Sequence, residues 1–596
     1  MIKLSDYVIN FVKGLGVKHV FLLPGGGCMH LVDSLGKCKS LKYICCLHEQ
    51  AVAIAADAYS QYTNNIGVGL VTTGPGGTNA ITGVAASWID SIPVLIISGQ
   101  TKRPDMIKDS GLRQMGIQEV DIVSMIKHIT KYAVTVIKPE DIRYHLEKAI
   151  YLATSGRKGP VWIDIPLDVQ GAVIDEKKLF EYKCDEVCEN IIDDKIAQVS
   201  KLLSLSKRPV IIAGNGIRLA NAEKEFLSLM NKIQIPALTT WKAMDIVPEN
   251  YRYYFGRPGS IGQRGANFIL QNADCLISIG ARLDLAQVGF DYGNFAKKAE
   301  KVIVDIDEKE ITKMTDRGMI VDIPIVCDAA MFIAKISKQI NKANNIRYED
   351  WLKKCKNWKE KYPVILPEYY GKKKYVNTYI LADVLSRLAT NKDIIVPGSS
   401  GSCSEVLLQS FKVKKGQRIL NSPGLGSMGF GLPAAIGACL ASGNRRAISV
   451  IGDGGLQHNI QELETVKRLG LPLKIFVLNN NGYNSIRITQ SKHFKGNYVC
   501  CGPESGLTLP DTCKIAKAYG IKTVRIHNQK RIKEKIRKIM DIKGPVICEV
   551  MVDPKFQTIP RLDSEVQPDG SIISKPIEDL FPFLSREEFA ANMITK

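Results

Sequence analysis

Short apolar runs recur along the chain, each closed by glycine, proline or small polar residues and followed by a stretch with helical spacing. Such alternation predicts parallel α/β sheets. In the first segment His19–Leu23 runs into Pro24-Gly-Gly-Gly27, Gly67–Val71 into Thr73-Gly-Pro-Gly-Gly-Thr-Asn79, Val94–Ser98 into Gly99-Gln100, and Val161–Ile165 into Pro166. A polar stretch from about 171 to 195 reads as a linker. The second segment carries strands at Pro209–Ala213, Cys275–Ile279 and Val302–Asp305, then a charged, Trp- and Lys-rich stretch over 345–376. The third carries Ile394–Val396, Ala447–Ile451, Lys474–Leu478 and Val546–Met551. The expected fold class is α/β, with three doubly wound parallel-sheet domains at 1–170, 190–345 and 376–555. After about residue 555 the rhythm stops, so 556–596 reads as a C-terminal tail.

The length of 596 residues agrees with three or four domains at roughly 150 residues each. With 45% hydrophobic and 23% charged residues, a largely disordered chain is excluded. No run approaches the roughly 18 apolar residues of a membrane span. The opening MIKLSDYVINFVKGLG predicts a helix capped by Ser5 rather than a signal peptide, so a soluble, cytoplasmic protein is expected. The 15 cysteines are scattered and form no CxxC; they read as small buried hydrophobes and free thiols.

The net charge of +20 raises the question of an anionic partner. The lysines are spread along the chain, with dense runs at 372–374, in a linker, and at Lys530, Arg531, Lys533, Lys535, Arg537 and Lys538, on one predicted helix. A solvated face accounts for these better than a nucleic-acid groove, and no zinc-finger spacing, RNP motif or basic zipper is present. Neither nucleic acid nor membrane is an expected partner.

The strongest chemical signal is Gly452-Asp453-Gly454 directly after a buried strand, with Asn479-Asn480-Asn481-Gly482 closing the next apolar run. Asp453 and Asn480 are 27 residues apart, one strand–helix–strand unit, which puts both at the carboxyl ends of neighbouring parallel strands. The Asp453 carboxylate, the Asn480 amide oxygen and the Gly482 carbonyl are hard oxygen donors suited to Mg²⁺ beside a diphosphate. The glycines and the helix start at Gly455 suit close approach of the diphosphate itself. GDG alone is weak; GDG with NN at this spacing is strong.

This pairing resembles the binding motif of thiamine diphosphate (ThDP) enzymes. Leu47-His-Glu-Gln50, Thr73–Asn79 and Gly424-Leu-Gly-Ser-Met-Gly-Phe-Gly-Leu-Pro-Ala-Ala-Ile-Gly437 are similar to the acetolactate synthase branch. The resemblance implies pyrimidine-binding, central and diphosphate-binding domains in that order, in a homodimer or homotetramer with active sites between subunits. It implies cofactor contacts from Pro24, Gly25, Gly26, Thr73, Gly401, Ser402, Gly426, Met428, Gly452, Asp453, Gly454, Gly455, Asn480, Gly482, Tyr483 and Asn484. Deprotonating ThDP with its own amino group requires a carboxyl at the pyrimidine ring, and Glu49 fits that role. Met428, alone a core methionine, gains the role of apolar wedge from its place 25 residues before Asp453. Gln118 matches a glutamine beside the family's reaction centre. His48 and His458 read as packing or hydrogen-bonding residues. At Ser402 and Cys403 the branch carries Gln and His, so only a backbone role transfers.

The branch also holds FAD in its central domain, where other ThDP enzymes hold ADP or nothing. Arg157, Thr240, Gly259, Gly262, Gly280, Arg282, Asp284, Asp305 and Asp328 match that site, while Ile261 and Ala286 replace a family His and Arg. The departures Leu167 for a Lys, Ile117 for a Phe and Thr489 near a Trp reshape the acceptor pocket. Tyr483–Gln490 and the tail segments Gln567–Ser571 and Lys575–Leu580 look like ThDP proteins found among surface-polysaccharide genes. The expected activity is a ThDP/Mg²⁺ carboligase that decarboxylates a 2-oxo acid, pyruvate foremost, and passes the two-carbon unit to an acceptor carbonyl. The acceptor is a second 2-oxo acid or a keto sugar nucleotide. A simple decarboxylase or oxidase is the alternative chemistry, and a basic non-enzymatic binder a distant third.

Overall fold

The computed structural model describes residues 1–184, 192–340, 348–371, 374–398, 400–566, 568–569 and 571–594. Three all-parallel sheets dominate it. The first orders its strands Lys42–Cys45, His19–Leu22, Gly67–Val71, Val94–Gln100, Val161–Pro166 and Tyr132–Thr135. The third runs Arg418–Ile419, Ile394–Pro397, Ala447–Gly452, Leu473–Asn479, Val546–Met551 and Lys522–Ile526. Numbered along the chain within each sheet, both have the order 2-1-3-4-6-5. The central sheet follows 2-1-3-4-5 with Ala237–Thr239, Pro209–Ala213, Cys275–Ile279, Glu300–Asp305 and Ile323–Val326. In such sheets the connection reverses between strands 1 and 3, and the crevice opened at their carboxyl ends takes the ligand.

The first and third domains share one continuous apolar core. Its centre is an alanine-rich pair of helices, Glu49–Thr63 and Gly431–Ala441, buried on nearly every face. Small residues allow the approach: a Cβ on Gly437 would meet the Ala55 carbonyl at 2.2 Å, and one on Gly67 the Ala56 carbonyl at 1.9 Å. A buried ionic node also joins all three domains. The Asp245 carboxylate pairs with Arg218 (2.7 Å) and Arg418 (2.9 Å), and Arg418 donates onward to the Gln61 and Tyr62 carbonyls.

One expectation needs correcting, and two stretches carry structure that their residue pattern does not announce. The first helix, Leu4–Gly14, is capped by Lys3; Ser5 lies inside it, buried, its hydroxyl accepting from Ser34 (2.9 Å). The charged 345–376 stretch contains a helix, Glu349–Lys361, that buries Trp351, Cys355 and Trp358 against the central domain. The tail is ordered: a hairpin of Ser564–Val566 with Ile572–Ser574 precedes a helix Arg586–Asn592, and Leu562, Ile577 and Leu580 enter the central core. This strap explains why helix Arg264–Gln271 is buried all round despite its polar residues. Arg264 donates to the Pro582 carbonyl (2.6 Å) and Asn267 to that of Ile577 (2.6 Å).

The linker read at 171–195 includes a short strand, Val173–Ile174, paired with Ile2–Lys3, and its residues 185–191 lie outside the described residues. So do 372 and 373 of the first basic run, and 567 and 570 of the tail segment. The second basic run lies on and just before helix Ile532–Asp541, which buries Ile532, Ile536, Ile539 and Met540 and turns its charges outward. The described cysteines are all free. Among the described residues no helix is long and apolar enough to cross a membrane.

Candidate active site

The crevice of the third sheet gathers most of the residues singled out by motif. Asp453 follows strand Ala447–Gly452 and is buried; its Oδ1 accepts from the Gly454 amide (2.9 Å), and its Oδ2 from those of Asn480 (3.2 Å) and Gly482 (3.3 Å). Burial pushes its pKa up to about 6, against the pull of these amides. The carboxylate therefore ties together the two loops that the sequence pairs at a distance. Beside it, Asn480 Oδ1 is buried with no partner among the described residues. An unpaired buried acceptor is costly, and next to a carboxylate it suits a cation.

The surrounding loops show why glycine is needed. A Cβ on Gly454 would stand 2.3 Å from Tyr483 Cε1, and Gly482 has φ +143° with the Cys501 carbonyl 2.2 Å from where its Cβ would be. A Cβ on Gly401 would meet Ser485 Oγ at 2.9 Å, which places the Gly401 turn against the helix Asn484–His493. Ser402 is buried at the start of helix Ser402–Ser410. Around Gly452 no protein atom lies within 4 Å of a built Cβ, and at Gly455 only Ile451, at 3.7 Å, so packing does not demand glycine at either. Asn484 donates to the Phe556 carbonyl (2.7 Å), leaving its buried Oδ1 without a partner. Met428 is half-buried on a turn between Gly426 and Gly429, both with positive φ. Burial pushes the Cys403 thiol up to about 12, so it is no nucleophile.

In the first sheet the crevice lies at Pro24–Gly27 and Thr72–Thr73. Gly25 packs against Thr72, Gly26 faces open space, and the buried Thr73 Oγ1 has no partner. Glu49 opens its helix, 6% exposed, and accepts from Asn79 Nδ2 (3.0 Å). His48 caps that helix by accepting from the Gln50 amide (3.0 Å). Gln118 is exposed on a left-handed turn (φ +60°), its carbonyl pressed on Gly74. The two crevices are linked within the chain. Asn459 Nδ2 donates to Gln50 Oε1 (3.1 Å) and to the Gly429 carbonyl (2.9 Å), and the buried Glu462 accepts from the Leu47 amide (2.7 Å).

At the crevice of the central sheet opens a cleft of about 1260 Å³, including its open mouth. Arg157, Thr240, Gly259, Gly280, Arg282, Asp284, Asp305 and Asp328 line it. Gly262 does not; it closes the turn carrying Gly259 through its amide (3.0 Å to the Gly259 carbonyl). Asp305, its pKa raised by burial, and Asp328 follow successive strands, where ribose hydroxyls are commonly held. Arg157 pairs with Asp307 (2.8 Å) and Glu310 (2.7 Å), and Arg282 with Asp284 (2.5 Å). Ala286, expected from the resemblance to replace a family Arg, lines the cleft. Lys158 and Lys242, also lining it, went unread because isolated lysines carry no motif. Elsewhere among the described residues, the cluster Asp511, Cys513 and Glu549 is filled by the Arg525 guanidinium.

Three parallel sheets with a buried carboxylate, an unpaired amide oxygen and glycine-lined approaches at their carboxyl ends define an α/β protein of three such domains. The chain matches three family profiles: "Thiamine pyrophosphate enzyme, N-terminal TPP binding domain" over residues 2–125, its "central domain" over 196–336, and its "C-terminal TPP binding domain" over 399–550. It is 31% identical to the acetolactate synthase large subunit of Lactococcus lactis over 575 residues, 95% of this chain and 96% of that one. With the corresponding subunit of Cyanidium caldarium it shares 33% over 563 residues, 92% of each chain. With the isozyme 2 large subunit of Escherichia coli it shares 30% over 580 residues, 97% of this chain and 99% of that one. The chain belongs to the thiamine diphosphate enzymes, in their acetolactate synthase-like branch, and is a ThDP-dependent carboligase of the transferase type.

Proposed function

We propose that this enzyme decarboxylates a 2-oxo acid, pyruvate foremost, and transfers the remaining two-carbon unit to an acceptor carbonyl. ThDP supplies the carbanion for both halves of the reaction. Mg²⁺ would be held by the Asp453 carboxylate, Asn480 Oδ1 and the Gly482 carbonyl, and the observation that carries this is the buried, unpartnered Asn480 oxygen beside a buried carboxylate. Gly401, Ser402, Gly426, Gly452, Gly454, Gly455, Tyr483 and Asn484 would surround the diphosphate. Pro24, Gly25, Gly26 and Thr73 would flank the pyrimidine, with Glu49 holding the ring proton, Met428 bending the cofactor and Gln118 beside the reacting carbon. FAD is the reading for the central cleft, supported by its glycine turns and the placement of Asp305 and Asp328.

Subunits pairing as a homodimer or homotetramer would cover apolar side chains such as Leu112, Met115 and Ile117 (90% exposed) on the first domain and Ile486, Phe494 and Val499 on the third. Leu167, Ile117 and Thr489, standing where the branch has a cation and two aromatics, favour an acceptor other than a second pyruvate. A keto sugar nucleotide fits that reading.

The test has two stages. Purified protein is denatured and its released cofactors identified by mass and absorbance. The ThDP- and Mg²⁺-loaded enzyme is then given a panel of 2-oxo acids, alone and with keto sugar nucleotides. CO₂ release coupled to a carboligation product is the expected result, lost in Glu49→Gln. Free aldehyde or oxygen uptake would indicate a decarboxylase or oxidase instead, and no CO₂ from any 2-oxo acid would overturn the reading.

A further inference from the structure

We infer that Arg487 is the positioning residue that shapes the cation loop Asn480–Gly482, an inference that rests on the proposed metal site. Arg487 lies one turn into helix Asn484–His493, with its side chain 10% exposed. Its guanidinium spends its fork on main-chain oxygens from three separate segments. Nη1 donates to the carbonyls of Asn480 (3.4 Å) and Pro554 (3.1 Å), Nη2 to those of Asn481 (3.2 Å) and Cys501 (3.0 Å), and Nε faces Glu504 at 3.6 Å. Two carbonyls of the loop are thus drawn to the guanidinium, while the Gly482 carbonyl is not among its partners.

Two glycines, one in the loop and one beside Cys501, leave room for this group. A Cβ on Gly502 would stand 2.3 Å from Nη2, and one on Gly482 3.1 Å from it. The loop is held from two sides: Asp453 takes the amides of Asn480 and Gly482, and Arg487 takes the carbonyls of Asn480 and Asn481. With both constraints in place, Asn480 Oδ1 is left buried without a partner among the described residues. A planar cation with five donors can bridge four carbonyls; a lysine ammonium, with three donors on one nitrogen, cannot. Charge-assisted bonds to carbonyls exceed ordinary ones in strength, which suits a loop that must keep its shape before any cation arrives.

The experiment titrates Mg²⁺ into metal-stripped, full-length protein at fixed ThDP, reading the thermal shift and the ThDP circular-dichroism signal. Arg487→Met is expected to need at least about tenfold more Mg²⁺ for the half-maximal shift, with Arg487→Lys between it and the parent. ThDP affinity should return to within about twofold at saturating Mg²⁺, a recovery that general loosening of the fold would not give. Glu504→Gln, which removes the carboxylate but leaves the carbonyl pinning, should titrate like the parent. Unchanged Mg²⁺ demand in Arg487→Met would overturn the inference, as would an equal loss in Glu504→Gln. If Arg487→Met does not fold, Arg487→Lys decides, and parental behaviour there overturns it. A parent chain with no Mg²⁺-dependent shift would overturn the proposed metal site, and this inference with it.

Discussion

Replacing Asn480 by leucine, which nearly keeps the volume but removes the acceptor, should move the cofactor-free and cofactor-loaded protein in opposite directions. The amide oxygen is buried with no partner among the described residues, and a buried acceptor left unpaired costs about 1–3 kcal/mol. Asn480→Leu should therefore leave the free protein as stable as the parent or up to about that much more stable. At fixed saturating Mg²⁺, with ThDP at about a hundred times its Kd, the parent gains about 2.7 kcal/mol from ThDP by linkage, and the variant should gain almost none. Urea unfolding of the free protein, with Mg²⁺ alone and with both ligands reads the two effects in one series. A variant destabilised by more than about 1 kcal/mol when free, yet stabilised by the ligands as the parent is, would refute the reasoning.

Gly454→Ala should cost about 1–3 kcal/mol by overpacking, because its Cβ would stand 2.3 Å from Tyr483 Cε1, and calorimetry should show weakened ThDP binding. Asp245→Asn should destabilise by about 3–5 kcal/mol at neutral pH, since it leaves two buried guanidinium groups short of their carboxylate. Burial raises the Asp245 pKa, but Arg218 and Arg418 outweigh it and the net shift is downward. The native state therefore favours the ionised form, so in a pH series of unfolding midpoints the gap between parent and variant should close as acid protonates Asp245. Asp164 has the opposite sign: burial pushes its pKa up to about 7, against hydrogen bonds from Ser98, Gln100 and Thr135. Its contribution is full below the unfolded-state value and is lost as pH rises through 7, so Asp164→Asn should flatten the fall in thermal stability between about pH 4 and 7.

What was legible in the sequence follows the physics of burial. Every interior strand of the three sheets, from His19–Leu22 to Val546–Met551, was readable as an apolar run because both of its faces are covered. Every edge strand was missed. Lys42–Cys45 exposes its first two residues, and Lys522–Ile526 buries only its last, so neither presents an apolar run. The tail escaped because its three core anchors, Leu562, Ile577 and Leu580, are too few and too far apart to make a periodic pattern, the first two standing fifteen positions apart. At the site, Asp453 and Asn480 were legible because motif spacing reports which loops meet. Arg487 was not, although it lies seven residues beyond Asn480, because its partners are carbonyls and a main chain leaves no mark in sequence. Ser5 misled as a cap because Ser is a common cap, whereas here the strand pairing of Ile2–Lys3 sets where the helix begins.

The repetition of one strand order in the first and third sheets has a consequence for how such an enzyme changes. Two domains that match two different TPP-binding profiles are built as two copies of a single plan. The plan is thus indifferent to chemistry, and identity resides in the loops at each crevice. Those loops can drift without disturbing the strands that carry them. A chain 31% identical to an acetolactate synthase large subunit can in this way keep the whole frame while its crevice loops diverge.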